Sequence, residues 1–169
     1  MSVLTHFVQV FLSSVHYMDT VLSQMSLQPS QLQLLASACL SLASKLSDPR
    51  PLSLYKLVIA TDCSCSLSEL QDMEMLVLQK LHWELSSPSS LQFLSLLMSQ
   101  LNTVRMLSSQ MIDIMEKQAE TYLMLAATEY KFYNVRPSIM VRDKSVQFGW
   151  KGHFQVMRIM EKISHIKGL

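Results

Sequence analysis

Lys45 and Glu74 are the two side chains whose placement asks for chemistry. Lys45 closes the apolar run Leu42-Ala43-Ser44-Lys45. Glu74 lies inside a second run, with Leu70 four residues before it, Val77 and Leu78 three and four after, and a methionine on either side. A charge set among apolar neighbours is costly to bury alone and ordinarily has a partner. Hydrogen-bond donors of a second protein could satisfy Glu74. Lys45 falls at a helix C-terminus, where its charge also complements the macrodipole. The plain alternatives are a solvated helix end for Lys45 and a surface stripe on a helix packed on two sides for Glu74. Two other constellations are weaker. Cys63-x-Cys65 with Asp62 and His82 has ligand types that suit zinc, but the two-residue spacings and second ligand pair of a structural site are missing. Serine, histidine and aspartate are all present, yet no nucleophile sits in a glycine-flanked elbow. The chain therefore reads as a non-enzyme without metal or cofactor.

Composition narrows the scaffold that must position those charges. The 169 residues are 49% hydrophobic and only 16% charged, which suggests that a partner covers some surface, although many serines and glutamines also solvate it. A net charge of +1 favours neither nucleic acid nor an anionic membrane. The three glycines are Gly149, Gly152 and Gly168. Phosphate-cradling loops and tight hairpins need backbone at positive φ, which glycine supplies, so a glycine-free stretch up to residue 148 argues against P-loop, dinucleotide-binding and hairpin-rich β folds. An all-helical body is what remains. The three cysteines, Cys39, Cys63 and Cys65, are odd in number and suit a reducing compartment. No basic stretch precedes the first apolar run, so a signal peptide is not expected, and serine and glutamine interrupt every window that could span a membrane.

Five prolines, at 29, 49, 51, 88 and 137, start or separate helical patterns. Phe7, Val10, Phe11, Val15, Met18 and Leu22 recur at helical spacing over about residues 3–22. A second helix runs from near Pro29 to near Lys45. It is apolar around most of its circumference, with small residues that allow close neighbours, as befits the centre of a bundle. A short helix spans 52–60. Ser66-Leu67-Ser68-Glu69 is a capping box that opens a helix running to about Leu81. Ser86 to Ser90 forms a serine-rich joint, followed by helices at 91–101 and roughly 105–132. Beyond Met140 the composition changes: residues 142–169 hold six cations against two acids, a net of +4, whereas the residues before them carry eight against eleven. Phe154, Met157, Met160, Ile163 and Ile166 have the spacing of a short amphipathic helix. Trp150, Phe148 and Phe154 among lysines would also suit an acidic or nucleic-acid partner, although a poorly ordered tail fits better and nucleic acid is not the expected partner.

The sequence blocks in order resemble the cyclin box, and D-type cyclins in particular. They are Leu32-Gln33-Leu34-Leu35, Ala38-Cys39-Leu40, Leu42-Ala43-Ser44-Lys45, Pro51-Leu52-Ser53, Thr61-Asp62, Glu69-Leu70, Met73-Glu74 and Lys80-Leu81-His82-Trp83. Further on, Lys117 to Tyr122, Ala126 to Phe132 and Pro137-Ser138-Ile139-Met140 look like the start of the family's second half. The resemblance covers about residues 10–140. It implies an all-α, cyclin-like helical bundle: a first cyclin box at 1–87 lacking its first helix, a partial second helical repeat at 88–140, and a divergent basic tail at 141–169.

In that family a lysine ending the central helix and a glutamate in a later helix contact the kinase, and Lys45 and Glu74 match them. Leu46, Leu70, Val77, Leu78 and Leu81 are the candidates for apolar contact beside them, and each fits internal core equally well. The resemblance implies a regulatory subunit that binds and activates a cyclin-dependent protein serine/threonine kinase in cell-cycle progression. Its partners would be that kinase and kinase inhibitors, in the nucleus and cytoplasm, with no membrane. The alternatives are a non-activating or dominant-negative form, or a cyclin-fold scaffold that binds nucleic acid through its basic tail.

Departures from the family pattern carry their own expectations. No first box helix precedes Val10, no leucine-x-cysteine-x-glutamate motif is present, and Thr20 replaces the arginine of the helix that contains Asp19. The arginine that pairs with that aspartate in the family lies on the absent helix. Such ends fit a truncated or alternatively spliced product, or a mispredicted gene model. A missing helix would expose several large side chains at roughly 1.5–3 kcal/mol each, against a domain stability of about 5–15 kcal/mol, with Met1 to Gln9 patching part of the gap.

Overall fold

The computed structural model describes residues 3–86, 89–104 and 108–129, together with 135, 136, 139 and 141. The basic tail, its aromatic residues and the end of the helix expected at 105–132 lie outside the described residues. The chain divides into two compact units, Met1–Ser87 and Pro88–Leu169. All described regular structure is helical, as the glycine-poor, apolar sequence predicts.

In the first unit, α1 (Val3–Gln24) leads through a 3-10 turn at Pro29–Gln31 into α2 (Leu32–Ser47), followed by α3 (Leu54–Ala60) and α4 (Leu67–Lys80). α2 is the hub and packs against α1, α3 and α4. It can do so because it is buried nearly all round: Leu35, Ala38, Cys39, Leu42 and Ala43 supply apolar contact, and Ser37, Ser41 and Ser44 let backbones approach. From α1 the inward residues are Val10, Ser14, Tyr17 and Val21, a single helical stripe. From α4 they are Leu70, Met73, Glu74 and Val77. Burial pushes the Cys39 thiol up to about 12, so this cysteine behaves as a small apolar core residue.

Residues 3–9 form the first turns of α1, with Val8 buried and Phe7 left outward. Asp19 is half-buried. Its carboxyl is pushed up by desolvation, and His16 one turn earlier partly offsets that shift.

The ends of α3 and α4 reach positive φ without glycine. Asp62 and Cys63 (φ 53° and 55°) and His82 and Trp83 (φ 51° and 63°) are all left-handed. Both pairs close Schellman motifs. The Asp62 and Cys63 amides donate to Ile59 O and Val58 O, and the His82 and Trp83 amides donate to Gln79 O and Leu78 O. These bonds satisfy the last carbonyls of each helix, and that gain outweighs the steric cost of a side chain in the left-handed region. At its other end α4 carries the expected capping box. Ser66 Oγ accepts from the Glu69 amide at 3.2 Å, and Glu69 accepts from the Ser66 amide at 2.7 Å. The Ser66 amide and hydroxyl, both donating to it, hold the Glu69 carboxyl below the usual carboxylate range.

In the second unit, α5 (Ser90–Val104) packs against α6 (Ser109–Ala127). Leu91, Leu94 and Met98 on α5 and Ile112, Met115, Ala119 and Leu123 on α6 are buried at i, i+3, i+4 and i+7 spacings. Ser108 caps α6 by accepting from the Met111 amide.

Candidate docking site on α2 and α4

Lys45 stands in the last turn of α2 and Glu74 in the middle of α4. Because these helices pack together, the two side chains meet across 29 residues of sequence. Lys45 Nζ donates to Glu74 Oε1 at 2.7 Å and to Oε2 at 2.8 Å. The carboxylate is sunk, with its side chain 10% exposed, whereas the lysine side chain is 44% exposed. The donor that Glu74 requires is therefore supplied within the chain. An ammonium carries three N–H donors, so two contacts with Glu74 leave at least one donor for another acceptor.

The apolar candidates separate by helical phase. Leu70 and Val77 are fully buried and Leu81 nearly so, all in the core shared with α1 and α2. They share the stripe of Glu74, and that stripe faces α2. Of the two readings the sequence leaves open for these three, kinase contact or internal core, the structure places them in internal core. Leu46 is 51% exposed and Leu78 only partly covered, so both remain at the surface. One face over on α4, Met75 is exposed. After the helix, Trp83 is 64% exposed despite being the largest side chain in this unit. Neither was singled out from the sequence. The signal for Trp83 was an aromatic between two polar residues just past a helix end; for Met75 it was the position three residues before Leu78.

Other sequence candidates are dispersed. Cys65 is buried, with Sγ 3.6 Å from Thr61 Oγ1, whereas Cys63 is exposed. Among the described residues no three His, Cys, Asp or Glu side chains gather to hold a metal ion. No helix of the described residues is long and apolar enough to cross a membrane.

Residues 5–86 match the family model of the cyclin N-terminal domain. G1/S-specific cyclin-D3 of Bos taurus is 39% identical over 132 residues, which are 78% of this chain and 44% of that protein. The Homo sapiens cyclin-D3 is 38% identical over 132 residues, with the same coverage of each chain. G1/S-specific cyclin-D1 of Homo sapiens is 34% identical over 138 residues, 82% of this chain and 45% of that one. The chain thus spans less than half the length of the curated relatives it matches. Residues 5–86, which hold the α2–α4 seam and its ion pair, are a cyclin N-terminal domain, and the chain is similar to the G1/S D-type cyclins.

Proposed function

We propose that this chain is a non-catalytic regulatory subunit that docks on a cyclin-dependent serine/threonine kinase and biases it toward its active arrangement in cell-cycle progression, in the nucleus and cytoplasm. The observation that carries this reading is the Lys45–Glu74 pair at the seam of α2 and α4, with its lysine half in water and Leu46, Met75, Leu78 and Trp83 presenting apolar surface on the same two helices and the turn that follows. A kinase's regulatory helix laid over that seam would bury the apolar side chains and place a carbonyl or carboxylate on the remaining ammonium N–H. Such contacts shift a kinase only to the extent that they are made better with its active form. Kinase inhibitors would then meet the assembled pair.

A second reading is that the same surface holds the kinase without activating it. One experiment separates the two: co-purification of the native chain and of Lys45→Ala/Glu74→Ala with a cyclin-dependent kinase, followed by a phosphate-transfer assay on the captured kinase. Capture that the double variant loses, with phosphate transfer, supports activation. The same capture without transfer supports the non-activating form. Equal capture by both chains would sink the seam as the docking surface.

A further inference from the structure

The turn that presents Trp83 is held from a distance. Tyr17, on α1, is buried, and its hydroxyl donates to Leu85 O at 2.8 Å, a bond that joins residues 68 positions apart. Between α4 and Leu85 every amide of the turn is occupied. His82 and Trp83 donate to Gln79 O and Leu78 O, Glu84 to Leu81 O, and Leu85 to Trp83 O. Two successive non-glycine residues in the left-handed region persist only where the surroundings over-determine them. Here the helix end fixes one side of the pair and Tyr17 fixes the other. Trp83 is thereby held at the end of the α4 strip that runs through Glu74 and Leu78, its amide bonded to Leu78 O at 3.0 Å and its indole in water.

We infer that Tyr17 is a positioning residue for docking: its hydroxyl, bonded to Leu85 O, sets the left-handed His82–Trp83 turn so that Trp83 stands ready on the α4 edge. This rests on the kinase-docking reading, and it assigns to a buried tyrosine a part in affinity that its place in the core alone does not explain. A surface aromatic already fixed in its bound position loses less freedom on association. Tyr17→Phe is the sharp probe, because it keeps the ring in the core and removes only the donor.

The test has two arms. In a Trp150→Phe background Trp83 is the sole indole, and its fluorescence anisotropy in the unbound, fully folded chain reports the turn. Tyr17→Phe should lower it. In the second arm the affinity for an immobilised recombinant cyclin-dependent kinase should fall about fivefold with Tyr17→Phe, mostly through faster release. It should fall no further when Tyr17→Phe is added to Trp83→Ala, because the tyrosine acts through the tryptophan. Unchanged anisotropy, or a Tyr17→Phe effect that persists in full without Trp83, overturns the positioning role whatever the kinase result. Failure of the native chain to bind the kinase at all overturns the docking reading itself, while the anisotropy arm still decides whether Tyr17 sets the turn.

Discussion

The Lys45–Glu74 pair is lopsided, and that lopsidedness can be measured. Replacing Lys45 with Met leaves a carboxylate whose side chain is only 10% exposed without its two charge-assisted bonds. A buried acceptor stranded in this way costs about 2–3 kcal/mol. Replacing Glu74 with Met strands an ammonium whose side chain is 44% exposed. Water solvates that group, and the loss falls to about 0.5–1 kcal/mol once screening is allowed for. In the double variant neither charge remains and two methionine stems face each other, so much of the Lys45→Met penalty returns. The expected coupling is about 1–2 kcal/mol. Urea unfolding of the four chains, followed by far-ultraviolet circular dichroism, reads all three quantities, and Lys45→Met should lower Tm by roughly 5–10 °C. Equal losses for the two single variants, or a coupling within about 0.3 kcal/mol of zero, would refute the reasoning. The pair would then be a surface contact of no energetic consequence.

Three further expectations follow from the first unit. Ser41 Oγ is buried with no hydrogen-bond partner among the described residues, whereas Ser44 Oγ accepts from the Leu52 amide at 2.8 Å. Ser41→Ala should leave stability unchanged or raise it by up to about 1 kcal/mol and Ser44→Ala should lower it by a similar amount, as equilibrium unfolding will show. Cys63 is exposed and Cys39 is buried with its thiol pushed up to about 12, so at mildly alkaline pH an alkylating reagent followed by mass spectrometry should label Cys63 in the folded chain and Cys39 only after denaturation. The Glu69 carboxyl, lowered by the Ser66 amide and hydroxyl, contributes its cap above the ordinary carboxylate pKa and loses it as pH falls through its own lower value. Stability should therefore decline on the acid side, and Glu69→Gln should flatten that limb of a pH titration.

How far the sequence spoke depended on how local each signal was. The α4 capping box needs only Ser66 and Glu69, three residues apart, and it was legible in full. So were the helical class and the central place of α2, because an apolar circumference broken by small residues has few other uses. The phase of α4 was legible only in part. Leu70, Glu74 and Val77 could be put on one stripe from their spacing, but whether that stripe faced inward or outward depended on where α2 lay. Its spacing says that the carboxylate needs a donor, and only the packing shows that Lys45 supplies it. The left-handed turns were hidden altogether. Nothing in His82-Trp83-Glu84-Leu85 marks positive φ, since the hydroxyl that helps to hold it belongs to a residue 68 positions away from Leu85.

The closed ammonium–carboxylate contact also bears on how an encounter begins. Its opposite charges lie within 2.8 Å of each other, so from afar they cancel and leave a dipole, whose field dies away faster than that of a lone cation. This seam cannot draw a charged visitor from a Debye length off. Collision there is left to ordinary diffusion, and dissolved salt should scarcely alter the speed of approach through these two groups.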